Sequence, residues 1–272
     1  MFIASFILTF AFILWGAIAP DNLQTVSSGA QSFLQSKFGW FYLIAASIIL
    51  LFVIFLAFSK FGNIKLGKED DEPDYSRFSW FAMLFSAGMG IGLVFWGVAE
   101  PVSHYFVPPF GDPESTEAAE AALQFSFFHW GLHPWGVYAL LGLTLAYFNF
   151  KKDAPATISA TFRPLIGDRV NGPIGKTIDT IAVFATVFGV ATSLGLGAIQ
   201  INGGLSFLNE NIPTSFSTQI IIIVAVTILF MLSALSGIGR GIKWLSNSNI
   251  AVAIILLFFF LFMGPTTFLL DL

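Results

Sequence analysis

Trp40-Phe41-Tyr42-Leu43-Ile44-Ala45-Ala46-Ser47-Ile48-Ile49-Leu50-Leu51-Phe52-Val53-Ile54-Phe55-Leu56-Ala57-Phe58 carries no charged side chain over 19 consecutive residues. At about 1.5 Å of rise per residue, such a helix reaches across the roughly 30 Å hydrocarbon layer of a bilayer. Reading outward with the same criterion, further apolar stretches fall near 2–19, 78–98, 119–148, 178–208, 218–235 and 249–270. The expectation is an all-α integral membrane protein of about seven transmembrane helices, the fourth and fifth long enough to tilt or to run past the bilayer.

Composition agrees. Of 272 residues 56% are hydrophobic and 10% charged, against about 25% charged in an ordinary soluble domain, so a soluble core could not hide the apolar surface. The net charge of -4 is mild and the basic residues are dispersed, which excludes a nucleic-acid surface. Without cysteine there is no disulfide framework, thiolate nucleophile or sulfur-ligated metal. Ala17-Ile18-Ala19 resembles a cleavage site, but no Lys or Arg precedes the run and Pro20 follows it, so the first segment reads as a retained membrane anchor.

Basic residues near helix ends stay cytoplasmic. Lys60, Lys65, Lys68 and Arg77 lie between the second and third stretches. Lys151, Lys152, Arg163, Arg169 and Lys176 lie between the fourth and fifth, and Arg240 and Lys243 between the sixth and seventh. Of the basic residues the opposite loops hold only Lys37, and the loop after the third stretch is acidic, with Asp112, Glu114, Glu117 and Glu120. The expected N-terminus is therefore cytoplasmic, in a multi-pass protein of the cell membrane. An odd count ending outside at Asp271-Leu272 points to a piece of a longer chain, with a complete seven-helix protein as the alternative.

Within 78–98, Gly88, Gly90 and Gly92 alternate, each costing about 1 kcal/mol of helix preference relative to alanine. Such a helix can unwind, which membrane proteins tolerate where freed backbone lines a binding cavity. Alternatively, Gly88 and Gly92 form a close helix-packing face. Within 119–148, Trp130, Tyr138 and Trp135 fall at roughly 0°, 80° and 140° on a continuous helix, an arc that can wall a cage for a cation without hydrogens to donate. An interfacial aromatic belt or plain packing is the plainer reading in a chain with 17% aromatic residues. His129 and His133 have the spacing of a metal pair but lack a third ligand, and Pro134 disturbs the backbone beside them. Thr186, Thr192 and Ser193 bring hydroxyls suited to sodium, although such hydroxyls commonly bond their own helix. Asp179 reads as a pairing or capping group, and Gly237 to Gly241 as a cytoplasmic turn.

Taken together, Gly88 to Gly92, Phe95-Trp96-Gly97-Val98-Ala99-Glu100-Pro101, the run from His129 to Tyr138, and Ala185-Thr186-Val187-Phe188-Gly189 resemble the betaine/choline/carnitine transporter family. The resemblance covers nearly the whole chain. It implies a partial LeuT-like fold, with two extra N-terminal helices and a cytoplasmic loop in 1–77, the first five-helix inverted repeat in 78–272, and the second repeat absent. It further implies import of glycine betaine or a related quaternary ammonium osmolyte, driven by sodium or protons, without a cofactor. Trp130, Trp135 and Tyr138 would line the cage, and Gly88, Met89, Gly90 and Gly92 would touch substrate. Ser86 and Met89 carbonyls would serve one sodium site and Thr186 a second. Val190, one turn past Thr186, lacks the side-chain oxygen some members have there. The resemblance permits a homotrimer in the lipid bilayer. The alternative readings are a membrane channel or structural subunit, and a membrane metalloenzyme using His129, His133 and Glu100.

Overall fold

The computed structural model describes residues 1–88 and 90–271. The described residues form helices and no strand, in the order α1 (Phe2–Ile18), α2 (Pro20–Phe58), α3 (Arg77–Gly88), α4 (Gly97–Phe106), α5 (Thr116–Trp130), α6 (Leu132–Ala146), α7 (Ile158–Thr161), α8 (Arg163–Ile166), α9 (Pro173–Leu208), α10 (Phe216–Leu235), α11 (Lys243–Met263) and α12 (Thr266–Asp271). Wide π turns occupy Gly92–Trp96, Tyr147–Lys151 and Ile238–Ile242.

Four helical segments among the described residues are long and apolar enough to cross a bilayer: Pro20–Phe58, Pro173–Leu208, Phe216–Leu235 and Ile238–Met263. α1 is a shorter apolar helix. No residue of α2 is buried against protein, as expected for a helix whose solvent is lipid. α2 also starts far upstream of the apolar run that announced it. Pro20 occupies its first turn, where a missing N–H leaves no helix bond unmade, and the polar residues that follow continue the helix.

The stretches at 78–98 and 119–148 are not single helices. α3 ends at Gly88, Gly90 is bent, and a π turn intervenes before α4, so the glycine-rich run interrupts the helix as its composition suggests. The second break falls at Gly131, with φ -87° and ψ -139°. Its cause is Pro134: its ring would strike the carbonyl four residues back and it cannot donate to it, so the chain must restart with proline in the first turn. The stretch at 249–270 breaks at Gly264 and Pro265 between α11 and α12. At the end of α10, Gly237 adopts φ +85°, a left-handed conformation that stops a helix at low cost, and the turn expected at 237–241 is this glycine with the π turn after it.

The chain divides into two compact units, residues 1–71 with 101–191 and residues 72–100 with 192–272. In the first, α6 packs on α2. A Cβ at Gly136 would stand 3.1 Å from Leu50 Cα, so the absence of a side chain there sets how closely the helices approach. Ser47 donates its hydroxyl to the Leu43 carbonyl at 2.8 Å, which leaves its oxygen to accept from His133 Nε2 at 3.4 Å. Phe12 of α1 sets its ring edge-on to Phe188 of α9 at 4.5 Å. Asp179 on α9 accepts from the Ser159 backbone N–H at 2.8 Å and its hydroxyl at 2.7 Å, the capping role expected from its position.

In the second unit, α3 packs on α11. Ser79 and Ala82 on α3 and Ser246 and Ile250 on α11 are buried. Asn247 donates to Ser79 Oγ at 3.3 Å and Asn249 to Ser86 Oγ at 3.0 Å, a polar seam along the contact. Asn202, buried on α9, donates to the Pro213 carbonyl at 3.0 Å and pins the turn into α10.

Candidate functional site

The break at Gly131 changes the geometry of the aromatic run. Trp130 ends α5, while Trp135 and Tyr138 belong to α6, so the wheel that placed all three on one continuous helix does not hold. Within α6 the pair stands. The Trp135 and Tyr138 rings lie 5.5 Å apart at 84°, an edge-to-face arrangement in which one ring presents its electron-rich face. Counting about 100° per residue from His133, Gly136 lies about 60° to one side, whereas Tyr138 and Trp135 lie at about 140° and 200°. The face holding His133 and Gly136 packs on α2, so the two aromatics occupy the other side of α6.

The same break separates His129 from His133. The i, i+4 spacing requires an unbroken helix to bring both imidazoles to one face, and Gly131 interrupts it. His133 engages Ser47, and the His129 ring lies against Phe125 and Phe128.

At the glycine-rich run, Gly92 is buried and Gly90 has no atom within 4 Å of where a Cβ would stand. A close packing face does not account for Gly90. Met89, expected to contact both substrate and sodium, lies outside the described residues. Beyond the run, Gln200 of α9 donates its side-chain amide to the Val94 carbonyl at 2.6 Å. Gly197, one turn earlier on α9, faces Ile91, whose Cδ1 lies 3.6 Å from where a Cβ would stand. Sequence reasoning passed over Gln200; its signal was a primary amide, with Asn202 two residues on, inside an otherwise apolar stretch of membrane helix.

Ser86, in the last turn of α3, accepts from Asn249. Thr186 donates to the Ala182 carbonyl at 2.8 Å, the intrahelical bond anticipated for such residues. That bond uses the hydroxyl proton and leaves oxygen lone pairs able to face a cation. Val190 offers no second oxygen one turn on.

Charged pairs gather in the loops of the first unit. Lys151 meets Glu69 at 2.6 Å and Lys68 meets Asp153 at 3.3 Å, joining the segment after α2 to the segment after α6. The Lys151 hydrogen bond, then its charge, hold the Glu69 carboxyl below the usual glutamate range; Lys65 adds to this and burial opposes it.

Compared with known proteins, residues 1–272 match the family model described as the betaine/carnitine/choline family transporter. The chain belongs to the betaine/carnitine/choline transporter family. Among relatives, it is 56% identical to the glycine betaine transporter OpuD of Bacillus subtilis (strain 168), over 97% of this chain and 52% of that protein. It is 46% identical to the ectoine/hydroxyectoine transporter of Virgibacillus pantothenticus, over 100% of this chain and 54% of that protein. It is likewise 46% identical to the high-affinity choline transport protein of Escherichia coli (strain K12), over 88% of this chain and 35% of that protein. The chain thus spans about half the length of the first two. Membership in this family, with the long apolar helices, makes this a multi-pass membrane protein.

Proposed function

We propose that this chain is part of a secondary transporter that imports glycine betaine or a related quaternary ammonium osmolyte, carrying out transport and no covalent chemistry. The observation that carries this reading is the Trp135–Tyr138 pair, edge to face at 5.5 Å on the side of α6 turned from α2. A trimethylammonium group has no N–H to donate and binds aromatic faces through charge alone, each ring contributing about 0.5 to 2 kcal/mol. Trp130 completes the cage from the end of α5. On the family's pattern, backbone at Gly88, Met89, Gly90 and Gly92 is also proposed to touch the substrate. Names of relatives support this class of cargo: two are named for the quaternary ammonium compounds glycine betaine and choline, and a third for ectoine, an osmolyte without that group.

The finer architecture belongs to the same proposal. Seven membrane crossings, with each broken stretch counted as one, give a partial LeuT-like fold: two N-terminal helices and a loop in 1–77, then a five-helix repeat in 78–272. Basic loops at 60–77, 151–176 and 240–243 support a cytoplasmic N-terminus. Sodium is the proposed coupling ion, held by carbonyls of Ser86 and Met89 at one site and by Thr186 at another, with Val190 weakening the second. The bilayer-embedded protein is proposed to form a homotrimer.

Uptake of labelled glycine betaine into proteoliposomes holding the full-length transporter, with and without an inward sodium gradient, tests this. Saturable, sodium-driven uptake is expected. Uptake driven only by protons would discard the sodium sites, and none with betaine, choline, carnitine or ectoine under either gradient would overturn the transporter reading.

A further inference from the structure

We infer that Gln200 is a positioning residue that holds the wide turn after the glycine-rich break, and that its bond to Val94 governs how readily this segment rearranges during transport. The inference rests on the transporter reading for its kinetic consequence, but its geometry stands apart from that reading. Gln200 lies among Ala198, Ile199 and Ile201 on an apolar helix, where an unbonded primary amide would be expensive. Its Nε2 donates to the Val94 carbonyl at 2.6 Å, a short bond between residues far apart in sequence. Val94 is the middle residue of the π turn Gly92–Trp96, in which the Gly97 N–H reaches back five residues to the Gly92 carbonyl.

A second contact fixes the register. Gly197 and Gln200 are three apart on α9, and Ile91 and Val94 are three apart on the interrupted segment. Gly197 meets Ile91 while Gln200 meets Val94, so one face of α9 grips the segment at two points one turn apart. A π turn and a regular helical turn differ in which N–H each carbonyl accepts, so converting one to the other swings the carbonyls. A donor mounted on a different helix favours the arrangement that keeps Val94 within reach. Gln200 thereby biases a two-state element beside the glycines without being a substrate contact.

Two substitutions in the full-length transporter test this. Gln200→Leu removes the donor. Gln200→Glu keeps the shape, cannot donate when ionised, and can donate again when protonated. In proteoliposomes, Gln200→Leu is expected to lower the maximal uptake rate about fivefold while leaving the half-saturation concentration within about twofold. Gln200→Glu should be equally slow at about pH 7.5 and recover relative to wild type toward about pH 4, as its carboxyl protonates in the ordinary glutamate range. Hydrogen exchange over residues 90–100 should be faster than in wild type in both variants at neutral pH, and in Gln200→Glu should return to the wild-type rate measured at the same acidic pH. Wild-type rate and exchange in Gln200→Leu would overturn the inference, as would slow uptake in Gln200→Glu that acid does not restore. Exchange that quickens across all helices would also overturn it, marking a general structural role. Should the wild type carry no substrate, the transporter reading fails, and exchange at 90–100 still decides the role of Gln200.

Discussion

Gly136 on α6 and Leu50 on α2 sit so close that a Cβ on the glycine would lie 3.1 Å from the leucine Cα and 3.3 Å from its Cβ. Both of those atoms belong to a helix that cannot swing aside as a side-chain tip can. Gly136→Val should therefore force α6 away from α2 and destabilise the fold by about 1–3 kcal/mol, the usual cost of overpacking. Thermal unfolding in detergent measures it. A smaller loss in Gly136→Ala, partly relieved by Leu50→Ala, would tie the effect to this contact; an unchanged melting temperature in Gly136→Val would refute it.

Trp135 and Tyr138 share the opposite side of α6, so the cage assignment can be tested without disturbing the α2 contact. Trp135→Leu in the full-length transporter should raise the half-saturation concentration for glycine betaine by about 2- to 30-fold, the range that corresponds to losing one cation–aromatic contact. Trp135→Phe, which keeps a ring face, should lose less. Unchanged uptake in Trp135→Leu would remove this residue from the cage.

How much of this was legible in the sequence depends on which force each residue answers to. Charge-free runs such as 40–58 are read by the bilayer, and a hydropathy criterion sees them directly. The extension of α2 back to Pro20 was hidden because residues such as Gln24, Ser28 and Gln31 repel hydrocarbon yet obstruct no helical hydrogen bond. Alternating glycines announced the break after Gly88. Pro134 was noticed, but its effect is felt upstream, at Gly131, since a proline forbids the turn that precedes it. The Gln200–Val94 bond joins residues 106 apart, and nothing local to either reveals it. Asp179 was legible in part: its need for a partner could be inferred, the identity of Ser159 could not.

Asp179 accepts two bonds from Ser159, one from the backbone and one from the hydroxyl, with Ser159 itself buried. Hydrogen bonds to a charged group contribute about 1.5–3 kcal/mol, and a donor left buried without its acceptor costs a similar amount. Asp179→Ala should loosen α7 and its flanks, seen as faster hydrogen exchange over residues 155–166. Asp179→Asn should retain part of the protection, because its amide oxygen still accepts. Equal exchange in wild type and Asp179→Ala would show that α7 is held by other contacts.

Lys151–Glu69 and Lys68–Asp153 cross two loops with opposite signs in each pair, so each loop contributes one cation and one anion. Glu69 has its carboxyl pKa lowered, first by the Lys151 hydrogen bond. A group with a depressed folded pKa stabilises the fold above its unfolded value, and that contribution disappears as pH falls through the folded value. Protection of residues 60–71 against proteolysis or hydrogen exchange should therefore hold steady from neutral pH down to the ordinary glutamate range near 4.5 and weaken only below it. Both partners are reached by water, so about 1 M salt should weaken the link at neutral pH by screening. Lys151→Ala should abolish the salt dependence contributed by this pair and move Glu69 toward ordinary titration, with Lys65 still lowering it. Loss of protection that begins well above the glutamate range would assign the loop's order to groups other than Glu69.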